Sequence, residues 1–324
     1  MKALIIGASG QVGGTLASLC VRRKIEVYGT SRVGQGFLYL DLADPASITA
    51  AFEKSRPGLV LLCSAMTHVD GCERDPGLAR KVNAAGPALV AEECRRAGAR
   101  LVYFSTEYVF DGKAGPYGEE DPVNPVSVYG LTKLEGERAA LALEGSLSVR
   151  TTVVYSHNPA SRNFIMQLIN NHRTVAKMRV PSDQVSNPTY APDLAAAVLD
   201  LAGKGASGIY NVVGPDWLNR YDFALKACAA FGFDPAFLEP KLTSELGQTA
   251  ARPLIAGLKT EKLARELGRA LPPAEESLRK ERDFSDTMIE SLPGLFYVFD
   301  GDDRFVRWNR NLELVSGYSA EEIA

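Results

Sequence analysis

The sequence lacks the features that mark a membrane, secreted or nucleic-acid-binding protein. Its 324 residues carry a net charge of only -3, so there is no excess of positive charge to attract nucleic acid or an anionic membrane surface, and we expect neither partner. The longest aliphatic runs, such as "LVLL" at 59–62, are far shorter than the roughly 20 apolar residues that span a bilayer. The opening "MKALIIGASG" also lacks the pattern of a signal peptide.

The sequence has few cysteines, and their spacing does not indicate disulfide pairs. The chain has five cysteines and no CxxC motif, which indicates reduced thiols in a cytoplasmic protein rather than a disulfide framework. Cys63, His68 and Cys72 lie close together in the sequence. A fourth ligand is not apparent, so we expect no metal site there.

Apolar runs that alternate with amphipathic stretches are present from the first residues onward. The runs predict strands at 2–7, 26–29, 37–40, 59–63, 101–105, 147–155 and 208–214. The stretches predict helices at 11–24, 45–55, 76–98, 162–173 and 192–202. This alternation is typical of a parallel sheet covered by helices on both faces. The predicted fold class is α/β, a Rossmann-type doubly wound parallel sheet with a smaller α/β C-terminal substrate lobe.

The predicted domain organisation has three parts. Residues 1–156 form the Rossmann domain, to which residues 189–215 return. Residues 157–188 and 216–283 build the substrate lobe, and 284–324 form a tail of different character.

The stretch "GASGQVGGTLA" follows the first predicted strand directly and contains Gly7, Gly10 and Gly13. Glycine permits a tight turn and a close approach of backbone N–H groups to a pyrophosphate, while a helix that opens near Gln11 favours its negative charge. The strand–turn–helix context predicts nucleotide binding.

The end of the second predicted strand bears on the choice of cofactor. An acidic residue there would bind a free ribose 2′-hydroxyl, but this strand ends in "VYGTSR", with Ser31 and Arg32. Because arginine matches a phosphate by bidentate hydrogen bonding, we expect NADP(H) rather than NAD. Asp41 and Leu42 follow the third strand, where they are placed to meet the adenine.

The motif "YGLTK" places Tyr129 four residues before Lys133. Residues at i and i+4 share one face of a helix, and a nearby ammonium group would lower the pKa of a tyrosine. The alternative is that both are ordinary solvated helix residues.

The sequence resembles the extended short-chain dehydrogenase/reductases, and most closely their dTDP-4-dehydrorhamnose reductase branch. The motifs that carry this resemblance are "GASGQVG", "VDGCERDP", "VNAAGP", "FSTEYVFDG", "PYGEEDPVNPVSVYGLTKLEGE", "VRTTVVY", "NFIMQLI", "DQVSNPTYAPDLA" and "RPLIAGL". They cover nearly all of residues 1 to about 280. The resemblance implies NADPH-dependent reduction of a nucleotide-linked 4-keto-6-deoxy sugar in cell-surface polysaccharide synthesis, and it is compatible with a homodimer.

The resemblance also implies roles for individual residues. In the implied catalytic group, Tyr129 donates a proton to the sugar carbonyl, Lys133 holds the nicotinamide ribose, and Thr106 hydrogen-bonds the carbonyl oxygen. The implied cofactor-binding residues are Gly7, Ser9, Gly10, Gln11, Val12, Gly13, Ser31, Arg32, Asp41, Leu42, Cys63, Ser64, Ala65, Tyr129 and Lys133. The implied substrate-binding residues are Thr67, His68, Tyr108, Asn163 and Gln184.

Three departures from the family pattern leave the sugar and nucleotide open. Glu107 stands where the family usually has aspartate, "RTTVVY" lacks the usual tryptophan, and "DQVSNPT" lacks a usual glycine. A sibling branch with a very similar motif region, the regulatory β subunit of methionine adenosyltransferase, offers an alternative in which the chain binds NADP and acts through a partner without turnover.

The tail at 286–324 resembles the opening of a PAS sensor domain, notably in "WNRNLELVSGYSAEEI". We expect strands in "GLFYVFD" and "RFVRWN", a turn at "GDD" (301–303), and a capped helix from "SAEE" (319–322). One hairpin and short helices cannot bury a core alone, so the tail is predicted to be a truncated PAS-like segment. An ordinary C-terminal extension of the reductase is the alternative.

Overall fold

A seven-stranded parallel sheet forms the centre of the structure, a computed structural model that describes residues 2–34, 36–156, 158, 161–291, 293–299 and 305–323. Its strands are β1 (Lys2–Ile6), β2 (Glu26–Ser31), β3 (Leu38–Tyr39), β4 (Leu59–Leu62), β5 (Arg100–Thr106), β6 (Leu147–Thr151) and, at the edge beside β6, β11 (Gly208–Asn211). The order is β11-β6-β5-β4-β1-β2-β3, and every neighbouring pair is parallel. The predicted Rossmann-type parallel sheet is confirmed.

Side chains that alternate along the strands build one apolar layer on each face of the sheet. In β1, Ala3 and Ile5 join one buried cluster, while Leu4 and Ile6 join the other. The first layer is covered by α1 (Gln11–Arg22), α8 (Ala191–Gly203) and α10 (Glu261–Leu267). The second is covered by α2 (Pro45–Ser55), α5 (Gly86–Ala97) and α6 (Val128–Leu141). Because both faces of the sheet are buried, the sequences of its strands are continuous apolar runs.

Two predicted elements are divided in the structure. The helix predicted at 76–98 consists of α4 (Pro76–Arg80) and α5, joined by a π-helical segment at Lys81–Ala85, and the unpredicted α3 (Val69–Arg74) precedes it. The strand predicted at 147–155 is β6 followed by β7 (Val154–Tyr155), which lies in another sheet. The chain turns at Val153, whose φ of +44° is unusual for a β-branched residue.

A third apolar cluster lies under the C-terminal part of the chain. It gathers Tyr155, Leu168, Phe223, Phe237 and Leu278 among other buried side chains. The elements of this region are β8 (Met178–Pro181), β9 (Val185–Ser186), β10 (Thr189–Tyr190), β12 (Leu218–Asn219), β13 (Leu238–Lys241), α7 (Phe164–Arg173), α9 (Arg220–Phe231) and α11 (Ala274–Glu290). The strands pair as β7 with β10, β8 with β13 and β9 with β12. The domain boundaries given by the sequence stay a prediction.

The tail forms an antiparallel hairpin of β14 (Tyr297–Phe299) and β15 (Phe305–Trp308), followed by α12 (Arg310–Ser316) and α13 (Ala320–Ile323). The predicted turn at 301–303 lies outside the described residues. The N–H of Ser319 donates to Glu322 Oε2 at 2.8 Å, which is half of the predicted capping box. Within the part of the chain that the structure describes, no helix has both the length and the apolar character needed to cross a membrane.

Candidate active site

The glycine loop brings β1 and α1 into unusually close contact. Gly7 has a φ of +93°, a conformation that glycine adopts without steric cost. A Cβ on Gly13 would lie 2.2 Å from the Gly7 carbonyl oxygen, so no other residue fits there without a backbone shift. Gly10 is the N-cap of α1 and provides no side-chain cap. The N–H groups of the first helical turn therefore remain available to an anion.

A second feature of the loop fits a dinucleotide. Gln11 Nε2 is buried and has no hydrogen-bond partner among the described residues. The other end of this amide, Oε1, accepts a hydrogen bond from Ser161 Oγ at 3.0 Å. A buried donor without a partner costs free energy that a ligand acceptor recovers, so the loop suits a pyrophosphate.

The residues predicted for the adenosine end lie around the carboxyl end of β2. Ser31 is buried, and its Oγ lies 2.9 Å from Ser9 Oγ, so the strand end is linked to the glycine loop. Arg32 is exposed. Asp41 Oδ1 accepts from the Ala43 N–H at 2.9 Å, and Leu42 is buried.

The segment after β4 closes the other side of the loop. The N–H groups of Cys63 and Ser64 both donate to the Ile6 carbonyl, at 3.0 and 2.9 Å. The N atom of Ser64 lies 3.0 Å from the position that a Cβ on Gly7 would occupy. Residues 63–65 and the glycine loop therefore face one another at the carboxyl edge of the sheet, where ligands bind in doubly wound folds.

Tyr129 stands in the first turn of α6, opposite the end of β5. The helix begins after Ser127, whose Oγ accepts from the Gly130 N–H at 3.2 Å. Thr106, the last residue of β5, lies beside Tyr129, and its side chain acts to lower the pKa of the Tyr129 hydroxyl. The Tyr108 ring packs edge-on against the Tyr129 ring, with 5.3 Å between their centres.

Lys133 lies one turn further along α6 and points to the same edge of β5. Its Nζ donates to the Phe104 carbonyl at 2.7 Å and lies 4.1 Å from the centre of the Tyr103 ring. The residue is 3% exposed and Tyr129 is 9% exposed. The alternative of two solvated helix residues is therefore wrong.

Burial governs the ionisation of both groups. Desolvation raises the pKa of Tyr129 well above its ordinary value, and the Thr106 side chain opposes this rise only in part. Desolvation also lowers the pKa of Lys133 to about 7. Burial determines the direction of the net shift of the Tyr129 pKa, and the expected lowering of this pKa by Lys133 stays a prediction. A tyrosine with a raised pKa keeps its proton, as a proton donor must.

Glu107 is a buried carboxyl group beside these residues, and sequence reasoning noted it only as a departure from the family pattern. Thr152 Oγ1 donates to Glu107 Oε1 at 2.5 Å, whereas Oε2 has no partner among the described residues. Burial raises the pKa of Glu107 to about 8, although the Thr152 hydrogen bond and the charge of Arg220 oppose the rise. The free oxygen is suited to a ligand hydroxyl.

Two arginines that the sequence analysis did not assign bring positive charge to the same neighbourhood. Arg220, at the start of α9, and Arg252 both act to lower the pKa of Tyr108, although burial raises it overall. Arg252 is 7% exposed and forms a 3.0 Å ion pair with Asp70. Arg252 belongs to the family-like motif "RPLIAGL", so the sequence contained a signal that could have identified it as a site residue. Arg220 lies in none of the family-like motifs.

The remaining predicted substrate residues serve local structure as well. His68 caps α3, since its Nδ1 accepts from the Gly71 N–H at 2.8 Å, and Thr67 is exposed. Asn163 caps α7 and donates to the Ser156 carbonyl at 2.7 Å. Gln184 donates to Thr243 Oγ1 at 3.0 Å. Their contacts with substrate stay predictions.

Comparisons with known proteins show which family this chain belongs to. The model of a family described as the RmlD substrate binding domain matches residues 1–283. The chain is similar to the dTDP-4-dehydrorhamnose reductase of Streptomyces griseus, with 35% identity over 256 residues, covering 77% of this chain and 83% of that protein. A crystal structure of a dTDP-4-dehydrorhamnose reductase from Clostridium acetobutylicum matches with a TM-score of 0.80 and 34% identity, over 88% of this chain and 99% of that one. A third enzyme of that name, from Bacillus anthracis and crystallised with NADP, matches with a TM-score of 0.80 and 28% identity, over 87% and 99% of the two chains.

Proposed function

The chain belongs to the RmlD substrate binding domain family, and from that premise we propose that it is an NADPH-dependent oxidoreductase that reduces the 4-keto group of a dTDP-linked 6-deoxy sugar for polysaccharide synthesis. Relatives that carry the name dTDP-4-dehydrorhamnose reductase support this activity. The alternative of a regulatory subunit without turnover is not favoured. The observation that carries the proposal is the buried group of Thr106, Tyr129 and Lys133 beside the glycine loop.

NADPH supplies the hydride when it is bound. The first turn of α1 and the Gln11 amide would hold the pyrophosphate, and Arg32 would pair with the 2′-phosphate. Asp41 and Leu42 would lie on the adenine side, while residues 63–65 would line the approach to the nicotinamide. Lys133 would donate hydrogen bonds to the nicotinamide ribose. These assignments rest on the placement of each residue at the carboxyl edge of the sheet.

Tyr129 delivers the proton that completes the reduction. The carbonyl carbon accepts the hydride, and the carbonyl oxygen takes the Tyr129 proton, so that the ketone becomes a secondary alcohol and the tyrosine a phenolate. Thr106 donates a hydrogen bond to the same oxygen and stabilises the charge that develops on it. A protonated Lys133 stabilises the phenolate until solvent returns the proton.

The substrate side contains groups for both parts of a nucleotide sugar. Arg220 and Arg252 provide positive charge for the diphosphate. The protonated Glu107 carboxyl forms a hydrogen bond with a sugar hydroxyl through Oε2, an atom that is buried without a partner among the described residues. Tyr108 packs beside Tyr129 and forms a wall of the sugar site.

The activity is tested by following NADPH oxidation with a panel of nucleotide-linked 4-keto-6-deoxy sugars. We expect turnover with a dTDP sugar, and we expect Tyr129→Phe to reduce kcat by roughly 10²–10⁴-fold, the range for loss of general acid catalysis. Binding of NADPH to the variant, measured by fluorescence, should change little. Turnover by Tyr129→Phe at the wild-type rate would contradict the proposed role, and NADPH binding without reduction of any sugar would revive the regulatory alternative.

The proposal also covers the oligomeric state and the cellular location of the protein. We propose a homodimer, on the family resemblance alone, and a cytoplasmic location, on the cysteine usage. Light scattering of the purified protein and fractionation of the source cells measure these properties.

A further inference from the structure

A buried ion pair lies one helical turn beyond Lys133 and has no role in the chemistry described so far. Arg150 on β6 and Glu137 on α6 are each 2% exposed in their side chains and pair at 2.7 Å. The pair is bidentate, because Arg150 Nε also donates to Glu137 Oε2 at 3.1 Å. Ser148 Oγ donates to the same oxygen at 3.1 Å. Both carboxylate oxygens of Glu137 are therefore held in place.

Arg150 is fixed independently of Glu137. Its Nη1 donates to the Glu119 carbonyl at 3.2 Å, and its guanidinium lies 5.1 Å from the Phe110 ring centre. A buried ion pair contributes less to stability than well-packed apolar residues of similar size, because both charges lose their hydration. A contribution to the stability of the core therefore does not explain why an ion pair occupies this position.

Glu137 is four residues after Lys133, so the two side chains share one face of α6. The groups that face Lys133 come from several elements: the Phe104 carbonyl and the Tyr103 ring from β5, the Cys63 thiol from the end of β4, and Glu137 from α6 itself. Of these, Glu137 acts most strongly to raise the pKa of Lys133, against a larger lowering by desolvation.

We propose that Glu137, oriented by Arg150, is a positioning residue that keeps Lys133 protonated in its buried site. The inference rests on the proposed function, in which a charged Lys133 binds the cofactor ribose and stabilises the Tyr129 phenolate. Arg150 holds the carboxylate by two hydrogen bonds on the helix face that also carries Lys133. Without this carboxylate, a lysine buried to this degree would lose its proton at a still lower pH.

The test measures the ionisation of Lys133 directly. In protein labelled with [13C]lysine, the Lys133 Cε resonance is assigned by its loss in Lys133→Arg and is followed against pH by NMR. We expect Glu137→Gln to lower the titration midpoint by about one to two pH units, the size expected for removing a charge one helical turn away. NADPH affinity at pH 7.5 should fall by roughly tenfold.

Glu135→Gln is the matched control. Glu135 lies on the same helix but pairs with Arg80 at the surface, at 3.0 Å, and its loss should leave the Lys133 midpoint unchanged. An equal shift in both variants, or no shift in Glu137→Gln, overturns the proposal.

A second variant separates the electrostatic role from a structural one, because Glu137→Gln leaves Arg150 buried without its partner. The double variant Glu137→Leu/Arg150→Met replaces the pair by apolar side chains. We expect it to fold and still to show a lowered Lys133 midpoint, and a wild-type midpoint in the folded double variant overturns the proposal. Absence of NADPH binding by the wild-type protein would count against the proposed function instead, while the midpoints still decide the role of Glu137.

Discussion

Glu107 shows at the scale of one residue how burial changes a side chain. Its pKa is raised from 4.5 to about 8, mainly by desolvation. A carboxyl group with a raised pKa binds more protons in the folded than in the unfolded protein. Its contribution to stability is therefore complete below about pH 4.5 and is lost as the pH rises towards 8.

Replacement of Glu107 by glutamine tests this coupling. Glutamine keeps the size of the side chain but does not ionise, so the variant should lack the fall in unfolding free energy of roughly 1.4 kcal/mol per pH unit that one proton contributes between about pH 5 and 8. Urea denaturation of both proteins from pH 5 to 8.5 measures the difference. Parallel stability curves would show that Glu107 is ionised throughout.

Arg32 is predicted to provide the preference for NADPH. Because the end of β2 offers Ser31 and Arg32 instead of an acid, Arg32→Ala should remove a partner of the 2′-phosphate. We expect the Kd for NADPH to rise by roughly tenfold or more, as for loss of a charge-assisted hydrogen bond, while the Kd for NADH changes little. An equal loss of affinity for NADPH and NADH in a fluorescence titration would show that Arg32 does not bind the 2′-phosphate.

At the scale of the element, the contact between β1 and α1 depends on Gly13. A Cβ there would meet backbone atoms of Gly7 at 2.2 and 2.8 Å, and backbone cannot move aside as a flexible side chain does. Gly13→Ala should therefore lower stability by about 1–3 kcal/mol and weaken NADPH binding. Thermal unfolding and cofactor titration measure the two effects.

Gly14 provides the control on the next residue of the same helix. A Cβ there would meet only the Ala8 carbonyl oxygen, at 3.3 Å, and alanine is favoured over glycine inside a helix by about 1 kcal/mol. Gly14→Ala should keep cofactor binding and at least most of the stability. If the two variants behave alike, the close approach at Gly13 is not what restricts the loop.

At the scale of the whole molecule, the question is whether the tail belongs to the fold of the preceding residues. The family match ends at residue 283. Before that point α11 contributes Leu278, which is fully buried in the third cluster, and Glu281, which is 5% exposed. The hairpin that follows exposes Tyr297, and α12 exposes Leu314 and Val315.

Deletion of 284–324 should leave a folded protein that binds NADPH, because the glycine loop, the proposed catalytic group and the buried part of α11 remain. Deletion from Ala274 onward should lower stability by more than about 2 kcal/mol, since it removes Leu278 from the core. Thermal unfolding of both truncations measures this. A large loss in the shorter deletion would make the tail an integral part of the fold.

Local sequence patterns by themselves determined much of this protein. Apolar runs and helical periodicity located the strands of the parallel sheet, because burial on both faces leaves a local signature. The spacing of Gly7, Gly10 and Gly13 located the loop, and the spacing of Tyr129 and Lys133 placed both on one face of a helix. Each of these properties depends on residues near one another in the chain.

Only the tertiary structure decided the properties that depend on distant residues. The predicted strand at 147–155 divides where Thr152 bonds Glu107, a contact across 45 positions. Arg220 and Arg252 come to the neighbourhood of Tyr108 from elements far along the chain. The direction of each pKa shift was also beyond the sequence, because spacing shows that a lysine is near a tyrosine, whereas desolvation depends on everything that covers them.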